Sequence, residues 1–286
     1  MAIPTTPSRL GKRLASVIAA VALVVAGNIA SPSVASAAAA LPVVNMEAVL
    51  KAAQWDPQKT GSAITPGSGP SVLLVEKALQ AKGLLAATYV DGHYGTSTVT
   101  AYTRWQKQLG YTGLGANGIP GEASLNKLAT GRFTVAFVVR PGPRVAFDGK
   151  TVDSRTKAML TEAGSILDEP LRLDQGSYST SDPTSAGTHA GGGVVDINVD
   201  GWSAAHRKTV AGVLRSVGFA AWVRSPTEGD WPWHIHAVAI SDPDLAPEAQ
   251  AQVGDYYLGR NGLKNHAPDT GPAGPKVTWE DYLRQH

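Results

Sequence analysis

Two short stretches of this chain hold the residue types that bind metals and move protons. The first reads Ser185-Ala-Gly-Thr-His189-Ala-Gly-Gly-Gly-Val-Val-Asp196 and the second Asp230-Trp-Pro-Trp-His234-Ile-His236. A catalytic zinc ion takes three protein ligands from His and Asp/Glu and keeps a fourth position open to water. His189, Asp196 and His236 make up such a set, leaving His234 and Asp230 beside it for acid–base work.

The elements that must position these groups are readable around them. Val194, Val195, Ile197 and Val199 surround Asp196 with an apolar, β-branched run, which predicts a buried strand carrying one carboxylate. A buried carboxylate without a partner is costly, and a cation removes that cost. His234 and His236 precede Ala-Val-Ala-Ile, a second strand signal. Residues two apart on a strand share a face, so both imidazoles address one site. Gly191, Gly192 and Gly193 leave the backbone free to turn close to the metal. His93, His206, His266 and His286 have no comparable context and receive no role.

The two stretches resemble the zinc peptidases of the D-Ala-D-Ala carboxypeptidase type. Their signature is His-x6-Asp followed far downstream by His-x-His, and the His-x-His branch includes the zinc fold of the Hedgehog signalling domain. The resemblance implies that His189, Asp196 and His236 bind Zn2+, that His234 faces the open position, and that Asp230 is the base. Asp230 is one methylene shorter than the glutamate common at that place. An arginine before the His-x6-Asp stretch clamps a substrate carboxylate in such enzymes. Arg172 is the candidate here, with Gln175 as a second substrate-binding residue. The implied chemistry is zinc-assisted hydrolysis of a peptide bond, in an α+β domain with helices on one face of its sheet.

Upstream, the chain divides by composition. Residues 1–37 combine Arg9, Lys12 and Arg13, an apolar stretch, and Ala35-Ser36-Ala37, the pattern of a cleaved export signal. Residues 38–70 read as a short helix followed by a Pro/Gly/Ser-rich linker. Over 71–130, three helices alternate with glycine-rich turns. Leu79-Gln80, Val90-Asp-Gly-His-Tyr-Gly-Thr-Ser-Thr98, Trp105-Gln106 and Asn117-Gly-Ile-Pro-Gly121 follow in order. That order resembles the three-helix peptidoglycan-binding domain of bacterial wall enzymes; most of its motif residues read as structural, Trp105 as core, with wall contact by Asp91, Tyr94 or Trp105 the lesser alternative. The zinc-peptidase-like domain occupies 133–262, and 263–286 is a polar tail.

Composition narrows the function further. The chain has no cysteine, which excludes thiol catalysis and thiolate metal sites. Lys and Arg number 25 against 23 Asp and Glu, interspersed and without a basic block, which argues against nucleic acid as a partner. The expectation is therefore a secreted, wall-associated monomer with no membrane span after signal cleavage. It would cut the stem or crossbridge peptide of peptidoglycan, with the N-terminal module raising its effective concentration at the wall. The alternative from another class is a catalytically inactive, zinc-containing peptidoglycan-binding protein.

Overall fold

The structure, a computed structural model, describes residues 40–286; the export signal read over 1–37 lies outside the described residues. The chain enters as strand β1 (Val43–Asn45) and helix α1 (Met46–Trp55), with Asn45 capping the helix through the Ala48 N–H. Helices α2 (Gly69–Ala81), α3 (Thr96–Gln108) and α4 (Glu122–Ala129) follow, and strand β2 (Thr134–Ala136) returns to pair in parallel with β1. The three helices expected over 71–130 are present, and α1 shares their core through Met46, Val49 and Leu50.

Most motif residues of this part are structural. Tyr94 is fully buried and donates to Gly118 O, while the Trp105 indole N–H donates to Ser124 O. Gln106 donates to Ile119 O and accepts from Gly118 N, tying α3 to the second glycine turn. The burial of Tyr94 and Trp105 agrees with the structural reading of these motifs and leaves neither at the surface to contact the wall.

Next come the hairpin strands β3 (Arg144–Phe147) and β4 (Lys150–Asp153), then helix α5 (Ser154–Leu167). Asp153 caps α5 by accepting from the Thr156 N–H at 2.7 Å. Strands β5 (Leu173–Gln175) and β6 (Val194–Asn198), helix α6 (Ala204–Ser216), and strands β7 (Phe219–Arg224) and β8 (His234–Ala239) follow. Helix α7 (Pro247–Tyr257) and a C-terminal helix α8 (Trp279–Gln285) complete the chain. Among the described residues, no helix is long and apolar enough to cross a membrane.

Strands β5, β6, β8 and β7 lie side by side in that order, antiparallel throughout. The period of two along each strand sorts the side chains. Val195, Ile197, Phe219, Ala221, Ile235 and Ala237 face α5 and α6 in one core. Val194, Ala220, Trp222 and Val238 face α7 in another. The sheet is thus covered on both faces, where the sequence suggests helices on one. The difference is α7, whose Ala249, Val253 and Tyr256 cover only part of the second face.

The helical N-terminal part is joined to this sheet through α7. Trp55 stacks on Tyr257 with ring centroids 4.6 Å apart, and Gln54 accepts from the Ser241 N–H at 3.0 Å. Asn117 donates to Pro243 O and Leu245 O at 2.9 and 3.1 Å. Gly254 is required at the helix crossing, since a Cβ there would sit 2.6 Å from Gln54 O. The tail is not loose either: α8 buries Tyr282 in the first core, and Arg155 binds Glu280.

Candidate metal centre

The exposed end of the second sheet face holds the predicted ligands. Asp196 on β6 pairs directly with His236 on β8, so both side chains rise from the same face. His189 arrives from a short turn of 3-10 helix just before β6. Its main chain is held by the Ser179 N–H, which donates to His189 O at 2.8 Å. The ligand atoms of His189, Asp196 and His236 all lie within 4.8 Å of one another.

Hydrogen bonds around the trio decide which nitrogens are free. His189 is fully buried, and its Nδ1–H donates to Gly176 O at 2.9 Å. That leaves the Nε2 lone pair directed at Asp196 Oδ2, 3.2 Å away, with no hydrogen-bond partner. Gln252 on α7 donates its amide to Gly262 O and so turns Oε1 toward His236 Nε2, at 2.9 Å. When Nε2 carries the proton, His236 Nδ1 is a second lone pair, 2.8 Å from Asp196 Oδ1. Two imidazole lone pairs thus converge on an anion, an arrangement that a cation between them satisfies. A backbone carbonyl and a side-chain oxygen holding the far nitrogens are the outer partners that metal-binding histidines use.

The charge states agree. Burial opposes ionisation of Asp196, but the His189 and His236 imidazoles beside it outweigh this and hold the carboxyl well below its usual range. Burial pushes His236 below the usual imidazole value, against the attraction of Asp196, so the ring stays neutral. An ionised carboxylate and neutral imidazoles are the forms that bind metal.

The glycines serve a different purpose from the one expected. A Cβ on Gly191 would meet Asp244 O at 2.3 Å and Ala246 N at 2.5 Å, and one on Gly192 would meet the Tyr178 hydroxyl at 2.6 Å. They admit the backbone of 244–246 behind His189 and do not face the metal position. Gly191→Ala is therefore expected to destabilise the fold by about 2–3 kcal/mol, because backbone atoms cannot yield as a flexible side chain would. Urea unfolding measures this, and bound metal should fall with it.

A cavity of about 460 Å³ opens over the trio. His234, two residues from His236, lies on its wall with Nε2 3.8 Å from Asp196 Oδ1, and its Nδ1–H donates to Pro232 O at 2.9 Å. Gln175, which pairs with Asp196 across the strands, also lines it, with Nε2 buried and unpartnered.

Comparison with protein families, with curated proteins and with solved structures gave no match for this chain. The site must be read from its own geometry.

Two sequence candidates stand apart from the cavity. Asp230 is exposed and does not line it. The preceding turn seats Trp231 there instead, with the Trp231 N–H donating to Gly229 O and the indole edge against His234, centroids 6.1 Å apart. Arg172 is exposed just before the edge strand β5 and does not line the cavity either. The acids that do line it are Asp174 and Asp182, besides Asp196. Hydrogen bonds from Thr184 to its side chain hold Asp182 below the usual carboxylate range, so it is ionised.

Gln252 and Arg224 are the functional positions that the sequence reading passes over. Nothing marks Gln252 within its helix. Arg224 carries a signal, as a lone cation ending the apolar strand Phe219–Arg224. It is 3% exposed, and burial pulls its guanidinium down to about 10.

Proposed function

We propose that the chain is an exported, wall-directed zinc peptidase that cleaves peptide bonds in the stem or crossbridge of peptidoglycan. The observation that carries this reading is the convergence of His189 Nε2 and His236 Nδ1 on Asp196, each ring fixed by an outer partner so that its lone pair faces inward. Two imidazoles and a carboxylate suit Zn2+, leaving a fourth position on the cavity side. Lewis acidity toward a peptide carbonyl is the chemistry that zinc supplies at such a centre.

The chain's own groups would do the rest. His234 gives its Nδ1–H to Pro232 O, so its Nε2 is free to take a proton and return it to the leaving amine. The unpartnered Gln175 amide is a donor for a substrate carbonyl. With Asp230 at the surface, His234 takes over the role first read for that acid. The wall as target is supported by the sequence order of the N-terminal module, whose motif residues build its core and turns.

A second reading has its own support. An exposed Asp230 outside the cavity fits a protein that keeps the metal centre for recognition and lacks hydrolysis. The two separate in one assay of D-Ala or stem-fragment release from purified peptidoglycan. The peptidase reading expects release that chelator stops and that falls about 100-fold or more in His234→Ala. Metal and wall binding without release would favour recognition.

A further inference from the structure

We propose that the outer edge of β7 carries a second binding site, for an oxyanion (a carboxylate or a phosphate group) held between Arg207 and Arg224. The site is a cavity of about 200 Å³ bounded by the first turns of α6, by β7 and by the segment 269–272. Arg207 lies with its guanidinium carbon 4.0 Å from the centroid of the Trp233 ring, and its Nε is buried with no hydrogen-bond partner. Arg224 spends Nη1 on Asn261 O at 2.8 Å, while its Nη2 is buried and has none. Neither arginine joins an ion pair among the described residues, whereas Arg155 and Arg215, which are buried as Arg224 is, do.

Two acids, Glu228 and Asp269, line the same cavity and attract Arg224 from a distance, but neither forms an ion pair with it or with Arg207. Asp269 is already bound by Arg215 at 2.8 Å, and Glu228 accepts from the Ser225 N–H at 2.8 Å. Lys208 lines the same cavity and adds a further cation. A buried guanidinium without a counter-charge, as at Arg224, is costly, and a guanidinium held over an indole, as at Arg207, presents its donors in a fork that matches the oxygens of carboxylate and phosphate. Trp233 is 43% exposed, an unusual position for a large aromatic side chain unless it holds something in place; here it stacks under Arg207.

Arg224 also lines the cavity over the metal trio, so the two cavities meet at this side chain. A ligand engaged at the metal centre can therefore place an oxyanion against Arg224 from the other side. The site itself needs no metal, and it stands or falls apart from the peptidase reading.

The test follows the arginine side-chain N–H resonances of the full chain by NMR at fixed ionic strength. The probes are N-acetylglycine, its uncharged methylamide and inorganic phosphate, each with and without chelator. A saturable shift of Arg207 and Arg224 with N-acetylglycine or phosphate, none with the methylamide, and retention under chelator are expected. Which anion binds names the source. In Arg207→Gln affinity should fall about tenfold or more, and Arg207→Lys, which keeps charge without the fork, should recover only part of it. Bound metal and thermal midpoint should stay at wild-type values in both. No saturable shift with either anion, or titrations unchanged in both Arg207 variants, would overturn the proposal.

Discussion

Asp196→Asn is expected to abolish metal binding while leaving the chelated protein at least as stable as the wild type. The two halves of this result come from the same geometry. Without a cation, the ionised Asp196 carboxylate faces the bare Nε2 of the fully buried His189, and only one of His236's two oxygen neighbours can receive its proton. An asparagine amide would donate to His189 Nε2 and present its oxygen to His236, pairing groups that the carboxylate leaves opposed. With metal the order reverses. A ligand present at 1,000 times its dissociation constant stabilises the fold by about 4 kcal/mol, and the variant should gain none of this. Urea unfolding of both proteins, with zinc and with chelator, reads all four states. A chelated variant several kcal/mol weaker than wild type would mean that the carboxylate serves the fold and not an ion.

Acid should weaken the chelated wild type. The neutral state of His236 is favoured in the fold, so the unfolded chain binds protons more readily below its usual value of 6.5. Stability from this group is present above that value and is lost as pH falls below it.

The second large effect lies away from the metal. Arg155→Ala should cost about 4 kcal/mol, the range found when one partner of a buried ion pair is removed. Arg155 is 6% exposed, holds both oxygens of Glu280 at 2.8 Å, and donates to Ile240 O at 2.9 Å. Asp242 Oδ2 lies 3.8 Å from it, and burial already pushes that carboxyl upward. Removing the cation leaves two acids without a counter-charge. It also loosens the stretch 240–246, whose backbone lies against Gly191 behind His189. The substitution should therefore release α8 to limited proteolysis and weaken metal binding, although no ligand is touched. A loss under 1 kcal/mol would show that α8 and the 240–246 stretch hold without Arg155.

What the sequence makes legible depends on how local its cause is. Helix α5, Ser154–Leu167, has local causes, since Asp153 caps it and its apolar spacing is helical. The strand period puts His234 and His236 on one face, whereas the register that sets Asp196 opposite His236 is fixed only in the packed sheet. The β3–β4 hairpin had its signal in Asp148-Gly149, both at positive φ in the structure, but its short strands are too polar to stand out. Helix α8 was hidden in a polar tail because a distant arginine and the burial of Tyr282 hold it. Asp230 and Arg172 were placed by spacing within a resemblance. The packing of Trp231 against His234 and the edge position of β5 leave them outside the cavity. Gln252 was beyond reach, since its part is set by the crossing of α7 over the sheet.

X-ray absorption at the zinc edge of the loaded full chain, with metal content measured alongside, tests directly whether His189, Asp196 and His236 hold a zinc ion. One zinc per chain is expected, with two imidazole nitrogens and a carboxylate oxygen among its ligands. One imidazole should be lost in His236→Ala. A chain that retains no metal after loading, or a signal unchanged by His236→Ala, would contradict it.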